Sequence, residues 1–440
     1  MKTKQNLLQI CLLAAMLLPA LTSGAQTVTN IAAGGYHSLF LKSDGSLWAT
    51  GDNPYGELGD GTFNNTNRPE LIVTNSVTAI SAGRFHTLLL KSDGSLWAMG
   101  QNNNGQLGDG TYNNTNRPEL IVANNVTAIA AGDADSFFIK SDGSLWAMGW
   151  NQYGQLGDGT TSNTNRPELI VTHGVTAITA GAQEHTLFLK NDGSLWGMGW
   201  NNYGQLGDGT TSNTNQPGRI VASGVTAIAG GQWHSLFLKS DGSVWAMGYN
   251  VVGELGDGTT SNTNRPELIV TNGVAAIASG SDHNLLLKTN GSQLGDGSFN
   301  PISHPEQIVA SGVTAIAAGG NVSLFLKSDG SLWGMGLNND GQLGQGTYSQ
   351  TNNSPELIVA GSSGPPGYNQ ISSQLLSGGN MRLSFVGLVG TNYALDRSFN
   401  LKPANWVPQV TNPAGAGGVL VLTNTPNKAT NNFWRIRSVP

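Results

Sequence analysis

Charge is scarce in this chain. Only 11% of its 440 residues are Asp, Glu, Lys or Arg, well below the roughly one quarter usual in globular proteins. Lys and Arg never gather into a run, and the formal net charge is −6. Nucleic-acid binders concentrate basic residues on a face or a tail, so no nucleic-acid partner is expected. Cysteine is almost missing too. Cys11 is the one cysteine, and it lies inside an N-terminal apolar run, away from the cleavage end where a lipid-modified cysteine would stand. A disulfide framework, a thiol nucleophile and a cysteine metal site are therefore excluded. Beyond the N-terminus no segment is long and apolar enough to span a membrane. No stretch has helix-length amphipathic periodicity. Phosphate-loop and zinc-hydrolase motifs are absent. No cofactor, metal or catalytic residue set is expected.

The N-terminus reads as a targeting segment. Lys2 and Lys4 give a positive start, Leu7 to Leu21 an apolar stretch, and Ser23-Gly24-Ala25 a small-residue cleavage site. This pattern predicts a signal peptide over 1–25, a mature chain from Gln26, and a secreted or cell-surface location. An uncleaved membrane anchor is the competing reading, and the apolar run is short for one.

Glycine is abundant, at 61 residues, and 38% of the chain is hydrophobic. That balance fits short strands joined by tight turns. The strands recur. The glycine of a "DGS"-like turn falls at Gly45, Gly94, Gly143, Gly193, Gly242, Gly291 and Gly330. The steps are 49, 49, 50, 49, 49 and 39 residues, so seven repeats follow one another and one step is ten short. One unit begins "VTAITAGAQEHTLFLKNDGSLWGMGWNNYGQLGDGT" (Val175 to Thr210). It predicts four strands: the "VTAI" run, "H(S/T)LFLK", "SLWAMG" and "PELIV". Asp-Gly between the second and third predicts a two-residue type I′ hairpin. Proline opens the fourth strand, where it removes no ladder hydrogen bond. The middle strands are apolar runs that need cover on both faces. Seven such units without helices predict a ring of blades, in which closure also protects the sheet edges. An open solenoid is the rival. The Ala/Gly-rich first strand suits the crowded axis.

"IAAGGYHSLFL" (Ile31 to Leu41) and "NNYGQLGDGT" (Asn201 to Thr210) resemble the repeats of the regulator of chromosome condensation family. The resemblance covers roughly residues 28 to 360. It implies an all-β, seven-bladed RCC1-like β-propeller over 26–360, and leaves function open, because one fold hosts many functions. The chain departs from the pattern in three ways. Repeat 6 reads "KTNGSQLGDGS" and lacks the "LWAMG" segment, which predicts a shortened sixth blade without a third strand in a still-closed ring. Asp135 and Val322 replace the motif histidine in repeats 3 and 7. The basic tail and GTPase-wedging insertion of the nuclear exchange factors are missing, and an export signal stands instead, so exchange-factor activity is disfavoured.

A Gly/Pro/Ser linker follows at 361–368. Residues 369–440 predict a small, sandwich-like all-β module. Its "Y-x-L-x-x-S" and closing "F-W-R-I" resemble the short C-terminal modules of secreted multi-domain bacterial proteins. That resemblance implies surface attachment or sorting, while a cap on the propeller edge fits equally.

His37, His86, His185, His234 and His283 hold one place in five repeats. Equivalent positions in different blades are radially separated, so a shared metal is not expected. Each histidine is expected to bond its own loop. Turns such as Gly59-Asp60-Gly61-Thr62 carry one acid each, too few for calcium, and are expected to bond their own backbone. Trp48, Trp97, Trp146, Trp196, Trp245 and Trp333 are expected to pack between blades. Recognition should lie where the repeats differ: in the pair before the motif histidine, and after the "MG" of the third strand. Strand parity puts both sets on one end of the disc. Trp150, Tyr153, Trp200, Tyr203, Trp233 and Tyr249 come from three consecutive repeats and predict an aromatic arc there. Exposed Trp and Tyr are the usual interface anchors. The expected function is an exported, non-enzymatic scaffold that binds a protein or a glycan through that face. A secreted enzyme with a propeller-face site is the alternative.

Overall fold

The computed structural model describes residues 26–181, 183–294 and 303–361, with the strands Ile371–Leu375, Met381–Val386, Asn392–Ser398, Val407–Pro413, Val419–Asn424 and Phe433–Val439. Residues 1–25, where a signal peptide is expected, and residues 362–368 of the expected linker lie outside the described residues.

Each repeat folds into a four-stranded antiparallel sheet whose strand order follows the chain. In repeat 1 the strands are Val28–Ala33, His37–Lys42, Leu47–Gly51 and Thr66–Val73. The seven-bladed expectation is corrected in one respect: six blades are complete and repeat 6 is reduced. Its third strand is Gln293–Leu294 and its fourth Gln307–Val309. The third strand is therefore not lost. Gln293 and Leu294 still pair with Leu287 and Leu286, because two residues suffice to continue the ladder once "LWAMG" is deleted.

The hairpin between the second and third strands also differs from expectation. Gly45 has φ 76°, whereas Asp44 stays out of the positive-φ region. Gly45 N–H donates to the Lys42 carbonyl (2.9 Å) and Lys42 N–H to the Ser46 carbonyl (3.0 Å). These bonds define a three-residue Ser-Asp-Gly loop, a type I turn whose glycine takes the left-handed bulge position. The Asp44 carboxylate accepts from Ser46 N–H at 3.0 Å and holds the loop shut.

The second strand is buried on both faces in every complete blade, as in "HSLFL" of His37–Leu41. Its cover comes from the neighbouring blades, and each hydrophobic cluster is shared between two repeats. Leu39, Leu47 and Leu58 of repeat 1 pack with Val77, Ile80, Leu89 and Met99 of repeat 2. Truncating a fully buried ring such as Phe188 would cost about 3–5 kcal/mol. The ring is closed by the same contacts: Val28, Ile31 and Phe40 pack with Leu324, Leu326 and Leu332 of repeat 7. Loop bonds repeat the closure. Gly61 N–H donates to the Asn116 carbonyl (2.8 Å), and across the seam Gly346 N–H donates to the Asn67 carbonyl (2.6 Å). Every blade is one contiguous segment, so no strand is exchanged between the termini.

Each repeated tryptophan except that missing from repeat 6 packs on the cluster of the preceding blade boundary. Its indole N–H donates to a serine hydroxyl (2.8–3.1 Å). A lysine ammonium lies 3.8–4.4 Å over its face.

The C-terminal strands form two three-stranded antiparallel sheets. Among the described residues no helix is long and apolar enough to cross a membrane.

Candidate binding face

The Ala/Gly-rich first strands surround the axis and enclose a cavity of about 530 Å³. Its mouth is built by the loops before the motif histidines. These loops are bonded to the loops after the third strands. Asp52 N–H donates to the Tyr36 carbonyl (3.0 Å), Trp150 N–H to Ala134 (2.9 Å), Trp200 N–H to Glu184 (2.7 Å) and Tyr249 N–H to Trp233 (2.9 Å). Both variable sets thus share one end of the disc.

The six aromatic residues meet in one chain of contacts. Trp150 touches Tyr153 (5.9 Å between centroids), Tyr153 touches Trp200 (5.7 Å), and Trp200 touches Tyr203 (5.6 Å) and Trp233 (6.4 Å). Tyr203 and Trp233 lie 5.9 Å apart, and Tyr249 closes on them at 4.8 and 5.2 Å. All six are half-buried. The Trp233 indole N–H donates to Gln183 Oε1 at 3.0 Å, and Gln183 lines the cavity. The arc therefore begins at the rim of the axial mouth.

A second aromatic group lies on repeats 1 and 2. Tyr36 stacks on Phe85 (5.4 Å), Tyr55 meets Phe85 edge-on (5.1 Å), and the Arg84 guanidinium lies over the same ring. Arg84 also pairs with Asp133 at 3.5 Å. It is the one cation among the residues lining the cavity. Carboxyls crowd this end. Burial, then neighbouring acids, push Asp135 well above the usual range, and burial with the Asp133 charge pushes Glu184 up to about 8. Glu57 is likewise pushed up to about 8 by burial.

The histidines do not bond their own loops through Nε2, which corrects the expectation. Nε2 of His37, His86, His185, His234 and His283 reaches Thr87, Ser136, Ser235, Asn284 and Ser323 of the next blade at 2.9–3.0 Å. Only His185 adds a loop bond, between Nδ1 and the Gln183 carbonyl at 3.3 Å. The ring spans the blade boundary because its tip, not its base, faces the neighbour. The Thr87 hydroxyl donates to the Glu57 carbonyl at 2.8 Å. Thr87 Oγ1 must then accept from His37, which fixes the proton on Nε2. Burial holds His37 at about 3 and the other four at about 4, so all are neutral near pH 7. Where the histidine is replaced, the bond is lost. Asp135 is too short to reach across, and its Oδ1 is buried without a partner. Val322 offers no donor, and Ser38 Oγ in repeat 1 is likewise orphaned.

In each Gly-Asp-Gly-Thr turn the aspartate serves its own loop. Asp60 Oδ1 accepts from Thr62 N–H (2.8 Å) and Asn53 Nδ2 (3.1 Å). Asn53 also accepts from Leu58 N–H at 3.0 Å. Asn53, Asn102, Asn151, Asn201, Asn250 and Asn338 are fully buried hubs of these loops. Their fixed place after "MG" was the signal for them in the sequence. Glu57 and Glu254, where other repeats have glutamine before "LG", were a second such signal. Among the described residues no group of three or more His, Cys, Asp or Glu is arranged to hold a metal ion.

Comparison with known proteins agrees with this architecture. The RCC1-like domain model matches residues 11–286, and RCC1 repeat models match 313–342 and 329–372. Human WBSCR16 is 23% identical with a TM-score of 0.61, over 69% of this chain and 88% of that one. Prp20p from Saccharomyces cerevisiae, described with its binding to Gsp1p and histones, is 20% identical with a TM-score of 0.66, over 74% and 88%. Yeast RCC1 (Prp20) bound by Kap60 gives 19% and 0.65, over 77% and 85%. At such identities the likeness is one of fold. No curated protein matches the chain. With the family model covering well over half its length, the chain belongs to the RCC1-like domain family.

Proposed function

We propose that this chain is an exported, non-enzymatic recognition scaffold that binds a protein or glycan through the variable end of its propeller. The observation that carries the reading is the continuous aromatic arc from Trp150 to Tyr249. Half-buried Trp and Tyr in mutual contact offer large, rigid apolar area at low entropy cost, as interface anchors do. The opposite end presents near-identical Ser-Asp-Gly turns and has no comparable variation. The Lys2/Lys4, Leu7–Leu21 and Ser23-Gly24-Ala25 pattern supports export, and the C-terminal module would anchor, sort or cap the disc.

The test is capture of secreted proteins and surface glycans by the chain, beside a Trp150→Ala/Trp200→Ala/Tyr249→Ala variant of matched folding. The reading requires a partner retained by the native chain and lost by the variant. A partner held equally by both would move the site off the arc.

A further inference from the structure

The corner where repeats 5 and 6 meet has features the rest of the arc lacks. Tyr203, Trp233 and Tyr249 are in mutual contact there at interplanar angles of 60–71°. Rings so tilted form the walls of a corner, not a flat platform on which a sugar ring could lie. Two carboxylates adjoin them. Gln232 N–H donates to the Ser281 carbonyl at 3.1 Å and so ties the loop that carries Trp233 to the loop that carries Asp282, whose charge acts on Tyr249. Asp282 makes no hydrogen bond or ion pair among the described residues. Glu254 follows Tyr249 on the same loop. Its Oε2 accepts from Val252 N–H at 3.0 Å, while its Oε1 is buried without a partner, in a residue only 5% exposed. Both carboxylates act electrostatically on the Tyr249 hydroxyl, which burial and these charges push up. One oxygen of Glu254 and the Asp282 carboxylate thus lack a partner among the described residues, and carboxylates acting on an aromatic corner attract a cation by charge and by the ring quadrupole together.

We propose that Tyr203, Trp233, Tyr249, Glu254 and Asp282 form a cage for a cationic side chain, an arginine of a partner protein. Arginine fits best: its planar guanidinium stacks on aromatic faces and forks to carboxylates, which a lysine ammonium cannot do. The inference rests on the aromatic-face reading above and narrows its partner to a protein with an exposed basic segment.

The test uses the full chain and a fluorescent Gly-Arg-Gly-Arg-Gly peptide, with lysine and glutamate counterparts, followed by fluorescence polarisation at low salt. Saturable binding of the arginine peptide is expected, several-fold weaker for lysine and absent for glutamate. A Glu254→Gln/Asp282→Asn variant should bind it at least about tenfold more weakly. The glutamine matches Gln155 and Gln205 of other repeats, so folding should survive, and an unchanged melting temperature checks this. Equal affinity in that variant, with loss in Trp150→Ala/Trp200→Ala/Tyr249→Ala, overturns the cage and leaves the aromatic face standing. Equal affinity in both variants overturns both. No binding to the native chain also overturns the cage, as does cellohexaose displacing the peptide.

Discussion

Nε2 of His37 lies 2.9 Å from Oγ1 of Thr87, one blade further along the ring. The same bond links five of the blade boundaries, so each histidine joins two blades, and His185 alone of the five adds a bond to its own loop. Thr87→Val keeps the shape and removes the hydroxyl. It leaves the His37 N–H buried and unpaired, and should cost about 1–3 kcal/mol. Urea unfolding of the variant measures this. A change under about 0.3 kcal/mol would show that the bond has no net value.

The reverse change is expected at the boundary where the motif is broken. Asp135 is 3% exposed, and burial, then the neighbouring Asp133 and Glu184, raise its carboxyl well above the usual range. Asp135→His would reach Thr186, as His86 reaches Ser136. It should stabilise the chain by roughly 1–2 kcal/mol. The gain should be larger at pH 8 than at pH 5, because keeping Asp135 protonated costs more as pH rises. Melting temperatures of native and variant at the two pH values decide it.

Stability should peak near pH 6.5. The five histidines titrate at about 3 to 4 when folded and near 6.5 when unfolded. Below pH 6.5 the unfolded chain binds the extra protons, so stability falls as pH drops towards 4, by about 3 kcal/mol for each histidine. Glu57 and Glu184, at about 8, and Asp135 act in the opposite sense. Folded, they keep protons that the unfolded chain releases above about pH 4.5, and stability falls as pH rises towards 8. Asp52, Asp133, Glu254, Asp282 and Asp340 are raised by burial too and act in the same sense. The five large histidine shifts dominate below pH 6.5, and the carboxyls alone act above it. Thermal melts from pH 4.5 to 8.5 should trace a single maximum. A curve rising steadily to pH 8.5 would contradict the buried neutral carboxyls.

Much of this was readable in the sequence, for a physical reason. Repeats at blade spacing fix which positions are equivalent, and strand parity fixes which loops share an end. Trp150, Trp200 and Tyr249 occupy one loop position, and Trp233 occupies the other, so the arc needs no coordinates. The Ser-Asp-Gly turn was misread because Asp-Gly suits both two- and three-residue hairpins. Pairing of Lys42 with Ser46 decides between them, and composition does not reveal it. The partner of His37 was hidden because contacts between blades depend on the curvature of the ring. The cage at Glu254 was hidden because a glutamate in a glutamine position looks conservative until its second oxygen is found unpaired.

Trp200 should matter more to partner binding than Trp150. Trp200 touches Tyr153, Tyr203 and Trp233, whereas Trp150 touches Tyr153 alone among the rings. Removing the central ring splits the arc, and removing the end ring shortens it. Trp200→Ala should cost the complex at least about 2 kcal/mol, and Trp150→Ala less. Binding titration of the captured partner tests the order, and the reverse order would place the contact at the repeat 3 end.

The weakest seam of the ring should lie between repeats 6 and 7. Among the described residues the cluster there has three buried members, Leu287, Val313 and Phe325, whereas that between repeats 3 and 4 has nine. The outer strands of repeat 6 are also only two and three residues long, so it brings less apolar surface to that boundary. Fewer apolar contacts lower the free energy of local opening, and neighbouring repeats lend stability only through shared interfaces. Hydrogen exchange read by mass spectrometry should show the amides of Asn284–Lys288 exchanging at least about tenfold faster than those of the equivalent strand His185–Lys190. Inserting "LWAMG" after Ser292 should lengthen the third strand to that of the other blades and slow that exchange. Equal protection in the two native strands would mean that ring closure, not local packing, sets the stability of each blade.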